Sequence, residues 1–184
     1  MTQISEGDGN DLGRVLDWTH DVRLADKQDT EIVHEATPAE LAAVAAALGV
    51  LSCDGLRVRY ALRPAGKTRY VLTGVIELAV TQSCVVTLEP VTTSKREEFS
   101  LELWPREDLP AIDAGVVEDL DDDDPEPIDS GVIAIGRLVL EHAACMIDPY
   151  PRKPGVAFSW VDQAAEASDS GNPFAKLKGL RGQS

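Results

Sequence analysis

Between positions 56 and 80 the chain alternates apolar and polar residues with a period of two. That period admits only extended strands with one covered face. Leu56, Val58, Tyr60 and Leu62 interleave with Arg57, Arg59, Ala61 and Arg63. After a turn at Pro64, Ala65, Gly66 and Lys67, the pattern resumes at Tyr70, Leu72, Gly74, Ile76, Leu78 and Val80. Further strands are expected at 85–91 and 99–103, the latter closed by Pro105, and a less regular one at 15–24. Strands so close in sequence make an antiparallel meander, able to curl toward a barrel. Gly74, inside a strand, is expected to mark a bend or bulge.

Two helices are expected to pack on this sheet, which makes the fold class α+β. Thr37, Pro38 and Glu40 form a helix start, with Thr37 as N-cap, Pro38 at the first position and Glu40 completing a capping box. Leu41, Val44, Ala45 and Leu48 then follow at helical spacing, and Gly49 can end the helix. A second helix is expected over about 132–147, capped by Asp129 or Ser130. It is apolar nearly all round, with Arg137 and Glu141 spaced to pair. Such a helix is buried on several sides, or lends one stripe, including Val139, to a partner. The chain divides into a disordered start at 1–14, one domain at 15–160, and a linker with a short basic motif at 161–184.

Charge is uneven. The net charge is −15, and the stretch 106–129 holds eleven acids against one base, a net −10. Asp119, Asp121, Asp122, Asp123 and Asp124 lie at its centre, and Ile128 and Asp129 follow two prolines that separate it from the apolar helix. The 119, 121, 123 spacing lacks the glycine and the later glutamate of a calcium loop. Such a surface repels nucleic acid and attracts a basic protein, so docking of a basic protein is the expected use of the segment. Arg57, Arg59, Arg63, Lys67 and Arg69 form the largest basic cluster. They offer an alternative as an RNA-contacting patch.

The three cysteines, Cys53, Cys84 and Cys145, have neither disulfide-framework nor zinc-knuckle spacing. His142 and Cys145 share a helix face, which with Cys84 gives a second alternative, a metal-binding module. No phosphate loop, nucleophile elbow or zinc-protease motif occurs, and no acid/base pair stands out. The expectation is a protein without catalytic activity or cofactor. The absence of a basic, apolar leader and of an apolar run of membrane-spanning length points to the cytoplasm.

Four segments in order carry a resemblance. They are CVVTLEP at 84–90, PIDSGVIAI at 127–135, DPYPRKPG at 148–155 and NPFAKLKGL at 172–180. Together they resemble the YceD family, the large ribosomal RNA subunit accumulation proteins, in the version common in alphaproteobacteria. The family strand carries C-x-R-C followed by Leu-Glu-Pro. Here Cys84, Leu88, Glu89 and Pro90 match, while Val86 stands at the arginine and Thr87 at the second cysteine. Ile128 and Asp129 match the segment after the acidic run, and Pro149 and Pro151 the exit from the helix. The resemblance implies a non-catalytic role in ribosome biogenesis. In such a role the acidic segment is expected to meet a basic ribosomal or assembly protein, with ribosomal RNA contacted at most within a particle.

Overall fold

The computed structural model describes residues 15–23, 31–109 and 124–157. The chain divides into two compact units, Met1–Lys153 and Pro154–Ser184, and of the second only 154–157 are described. The expected disordered start and the basic C-terminal motif lie outside the described residues.

The first unit is α+β. In chain order it comprises β1 (His20–Asp21), β2 (Ile32–Glu35), α1 (Pro38–Leu48), β3 (Ser52–Pro64), β4 (Tyr70–Ser83), β5 (Pro90–Pro105), β6 (Glu126–Ile128), β7 (Val132–Ile133) and α2 (Ile135–Met146). The main sheet runs β2-β3-β4-β5-β6, antiparallel except for the β5–β6 pair. Among the described residues it is open, with β2 and β6 at its two edges and no closed barrel. Its inner face is filled by α2 and the segment around Leu16 and Trp18, so that face finds its cover in other elements rather than in the sheet itself.

The alternation read from the sequence sets the faces. Leu56, Val58, Tyr60, Leu72, Ile76, Leu78 and Val80 point inward with Phe99 and Leu103. Each fully buried aliphatic side chain stabilises the fold by about 1.5–3 kcal/mol. Gly74 marks no bulge, since it pairs in register with Tyr60 and Phe99. The irregularity in β3 lies instead between Cys53 and Gly55. A Cβ at Gly74 would lie 2.5 Å from the Arg59 carbonyl oxygen and 2.7 Å from the Phe99 ring, so the neighbouring backbone and an aromatic ring over the strand together exclude a side chain.

Two expected strands merge with others or disappear. The segment 85–89 is a turn, and β5 is one strand of 16 residues that takes in the expected 99–103 strand. Of the expected 15–24 strand only His20–Asp21 pairs, and it pairs with β7.

α1 forms as expected. Thr37 accepts from the Glu40 amide, the Glu40 carboxylate accepts from the Thr37 amide, and Gly49 ends the helix at φ +66°. Glu40 also accepts from the Trp18 indole at 2.8 Å, which ties the segment around Trp18 to the helix start. α2 begins three residues later than expected, because Val132 and Ile133 pair with β1. Asp129 and Ser130 do not cap it. They belong to a tight β6–β7 turn in which Ser130 and Gly131 both have positive φ and Asp129 and Val132 exchange backbone hydrogen bonds. The Gly136 amide instead donates to the Trp18 carbonyl at 2.9 Å.

Candidate partner-binding site

The acidic segment is anchored at both ends on one end of the sheet. β5 ends at Pro105 and passes into a 3-10 turn, Arg106–Asp108, while β6 returns beside it in the register Leu103↔Glu126, Trp104↔Pro127, Pro105↔Ile128. Arg106 joins the two ends by an ion pair with Asp129, with Nη2 donating to Oδ2 at 2.9 Å. That guanidinium holds the Asp129 carboxyl below the usual carboxylate range. Arg137 of α2 reaches Glu126 at 2.5 Å and Glu141 at 2.9 Å, so β6 is fastened to the helix as well.

Asp124, Glu107 and Asp108 are exposed at these two feet. Asp119, Asp121, Asp122 and Asp123 lie outside the described residues. Ile128 and Val139 are placed in the core, at 5% and 1% exposure, where neither meets a partner without unfolding. The apolar α2 is therefore a core helix. It buries Ile135, Leu138, Val139, Leu140, Ala143 and Met146 and shows solvent mainly Ala134, Ala144 and Cys145.

Of the basic cluster, Arg57, Arg59 and Arg63 lie on the outer face of the sheet, where acids face Arg57 and Arg59, while Lys67 stands in the bend between β3 and β4. Glu35, Arg57, Glu77 and Arg96 are cross-strand neighbours in one row. Glu77 lies 3.6 Å from Arg59 and 3.4 Å from Arg96. Arg69 stacks on the Trp104 ring at 3.6 Å. Two shallow hollows of about 480 and 570 Å³ open on this face, one beside Arg57 and Glu77, the other beside Arg59 and Glu98. Cross-strand pairing of opposite charges is the arrangement of a solvated sheet face, and it leaves little surplus positive charge for phosphates.

The cysteine-bearing segment is a compact turn. Cys84 N–H donates to Glu89 O at 2.8 Å and Leu88 N–H to Cys84 O at 2.9 Å, with Leu88 at φ +60°. The Cys84 sulfur is fully enclosed and accepts from the amides of Thr87 at 3.4 Å and Lys153 at 3.5 Å. Hydrogen bonding from the Thr87 hydroxyl, then from the Lys153 and Thr87 amides, lowers its pKa to about 6 against the opposing effect of burial. Pro151 accepts from Val85 N–H at 2.9 Å, and Lys153 pairs with Glu89 at 2.9 Å. The matched Glu89, Pro149 and Pro151 thus belong to one structure, in which the exit from α2 straps the turn.

Cys84, Cys145 and His142 do not come together as metal ligands. Among the described residues no group of three His, Cys, Asp or Glu side chains is placed to hold a metal ion. Cys145 is exposed, and His142 meets Glu97 at 3.2 Å and tilts against Phe99. Two features carried no sequence signal. His34 is sandwiched between Trp18 and Tyr60, with ring centroids 5.1 and 5.9 Å away. The outer edge of β5 is the other, since its charged centre hides the strand period.

No helix among the described residues is long and apolar enough to cross a membrane. No curated protein and no solved structure matches the chain. A family match covers residues 72–181, from β4 through the acidic segment, α2 and the strap to the basic C-terminal motif. Its description is Large ribosomal RNA subunit accumulation protein YceD. More than half of the chain lies within that match, and the chain belongs to the YceD family of large ribosomal RNA subunit accumulation proteins.

Proposed function

We propose that this protein supports accumulation of the large ribosomal RNA subunit as a cytoplasmic, non-catalytic factor that binds a basic ribosomal or assembly protein through its acidic segment. The observation that carries this reading is the concentration of charge. Positions 106–129 hold a net −10 of the chain's −15, in a chain of a ribosomal-RNA accumulation family. Ribosomal proteins are the strongly basic components such a segment complements, and local charge raises the rate and selectivity of encounter. The two feet add to this. Arg106 with Asp129 and Arg137 with Glu126 fix the two attachment points of the segment on the folded domain.

The test is a pull-down from native lysate, with proteins identified by mass spectrometry and RNA by sequencing. The intact chain is compared with a chain lacking 121–124 at several salt concentrations. Ribosomal proteins or pre-ribosomal particles are expected with the intact chain, with recovery that falls on deletion and with salt. Equal recovery by both chains at every salt concentration rejects the acidic segment as the docking element.

A further inference from the structure

β5 runs 16 residues, yet β6 covers only Leu103, Trp104 and Pro105 on its outer side. From 91 to 102, about 40 Å of strand, no described residue pairs with that side, and no described backbone hydrogen bond outside the β4–β5 ladder uses it. Exposed edges in soluble proteins are commonly blunted by shortness, by proline, by bulges or by charge. This one is long, has no proline from 91 to 104, and keeps an unbroken register with β4 over its whole pairing. α2 stiffens it from the inner face, where Lys95 donates to the Met146 carbonyl at 2.5 Å and Glu97 meets His142.

Among the described residues charge alone guards this edge, and it is distributed selectively. Lys95 is held by the end of α2 and Arg96 by Glu77, so the two bases are engaged within the fold. Glu98 and Glu102 lie on the outer face, exposed, four positions apart; Glu98 has no ion-pair partner among the described residues, and Glu102 only accepts from the Trp104 indole at 3.1 Å. Between them on the inner face sit Phe99 and Leu101. A second copy added antiparallel about a two-fold axis sets each axial residue against itself. Axes at Lys95, Arg96, Glu97 or Glu98, the middle of the open stretch, therefore place a like pair at the axis, and the flanking opposite pairs, Lys95 with Glu97 about Arg96 and Arg96 with Glu98 about Glu97, draw on bases already held by the end of α2 and by Glu77.

We propose that the open edge of β5 receives an extended segment of a basic protein partner as an added strand, with basic residues opposite Glu98 and Glu102 and apolar residues opposite Phe99 and Leu101. The incoming sequence then reads basic, apolar, small or polar, apolar, basic. Main-chain hydrogen bonds supply affinity, and the alternating side chains supply selectivity. This deepens the docking function proposed above and rests on it for the nature of the partner.

The probe is a labelled peptide of the order Thr-Lys-Val-Thr-Val-Lys-Thr, titrated at low salt into the full-length protein. A peptide with both lysines changed to glutamate and one N-methylated at alternate amides serve as controls. Binding of the first peptide alone is expected, with slowed amide hydrogen exchange over 91–102. The Glu98→Lys, Glu102→Lys double variant is expected to bind at least tenfold more weakly, with its thermal unfolding unchanged. Equal binding of the N-methylated peptide, or no change in exchange at 91–102, overturns strand addition. Concentration-dependent dimers with protected edge amides overturn the proposal in favour of a second copy. The same variant enters the lysate pull-down. Ribosomal proteins recovered equally by variant and wild type reject the edge while leaving the docking function in place. Recovery of none by the wild type rejects that function, and the peptide and exchange results then decide the edge by themselves.

Discussion

Gly136 and Leu16 approach so closely that a Cβ on Gly136 would lie 1.9 Å from the Leu16 carbonyl oxygen. The Gly136 amide also donates to Trp18 O at 2.9 Å, so the segment around Leu16 and Trp18 is laid across the start of α2. Ala is the better helix former by about 1 kcal/mol, but that gain is smaller than the cost of displacing a backbone that Leu16 and Trp18 bury in the core. Gly136→Ala is expected to lower stability by about 1–3 kcal/mol. The measurement is the urea unfolding midpoint, and a midpoint equal to or above that of the wild type would refute the close-packing account.

That contact joins residues more than a hundred positions apart, and the sequence offers no sign of it. α1 was legible because its start and stop are local: Thr37, Pro38 and Glu40 at one end and Gly49 at the other. β3 and β4 were legible because one face is buried and the other solvated. β5 was legible only at Phe99, Leu101 and Leu103, since Lys95, Arg96, Glu97 and Glu98 erase the period before them, and two of those are used in contacts with α2. The start of α2 was misplaced for a similar reason, because Val132 and Ile133 are claimed by His20 and Asp21. At the candidate site the acids were legible as composition. The pairing of Arg137 with Glu141 was legible from their spacing, but the links of Arg106 to Asp129 and of Arg137 to Glu126 appear only in the fold.

His20 and His34 make stability sensitive to mild acid. Burial lowers both pKa values below the ordinary imidazole value of about 6.5. His20 faces Tyr60, Asp21 and His34, and His34 faces Trp18, Tyr60 and Glu40; the attraction of Asp21 and Glu40 does not offset burial. A histidine with a lowered native pKa binds a proton more readily when unfolded. Its stabilising contribution is therefore full above about 6.5 and is lost as the pH falls from there toward the native value. The urea midpoint is expected to drop between about pH 7.5 and 5.5. His34→Phe, which keeps a ring in the stack, is expected to flatten that drop. An equally steep dependence in the variant would assign it to other groups.

The Cys84 thiol combines a low pKa with complete enclosure, whereas Cys145 is exposed. Thiolate character favours alkylation and burial prevents it. In the native protein Cys145 is expected to react with iodoacetamide while Cys84 and Cys53 react only on unfolding, as read by mass spectrometry of the modified peptides. Thr87→Val removes the hydroxyl that contributes most to lowering the Cys84 pKa, and an upward shift in its titration by cysteine-labelled NMR is expected. Rapid native alkylation of Cys84 would show that the strap formed by Pro151 and Lys153 opens freely.

Arg137 links the folded core to the acidic segment. Its guanidinium divides between Glu126 of β6 and Glu141 of its own helix, and it is about a third exposed, so solvent screens part of the attraction. β6 has only three paired positions along β5, and without the arginine its hold on the sheet depends on those and on Ile128. Arg137→Met keeps most of the side-chain volume but leaves Glu126 without its partner, at an expected cost of about 1–2 kcal/mol. Amide exchange at 124–129 is expected to rise well beyond the change elsewhere. Arg137→Lys retains the charge but cannot fork between two carboxylates, so intermediate exchange is expected. If the anchored foot matters for docking, recovery of ribosomal proteins from lysate falls in the order wild type, lysine variant, methionine variant. Unchanged recovery with raised exchange at 124–129 would show that the acidic segment acts as a free tether, without need of a fixed base.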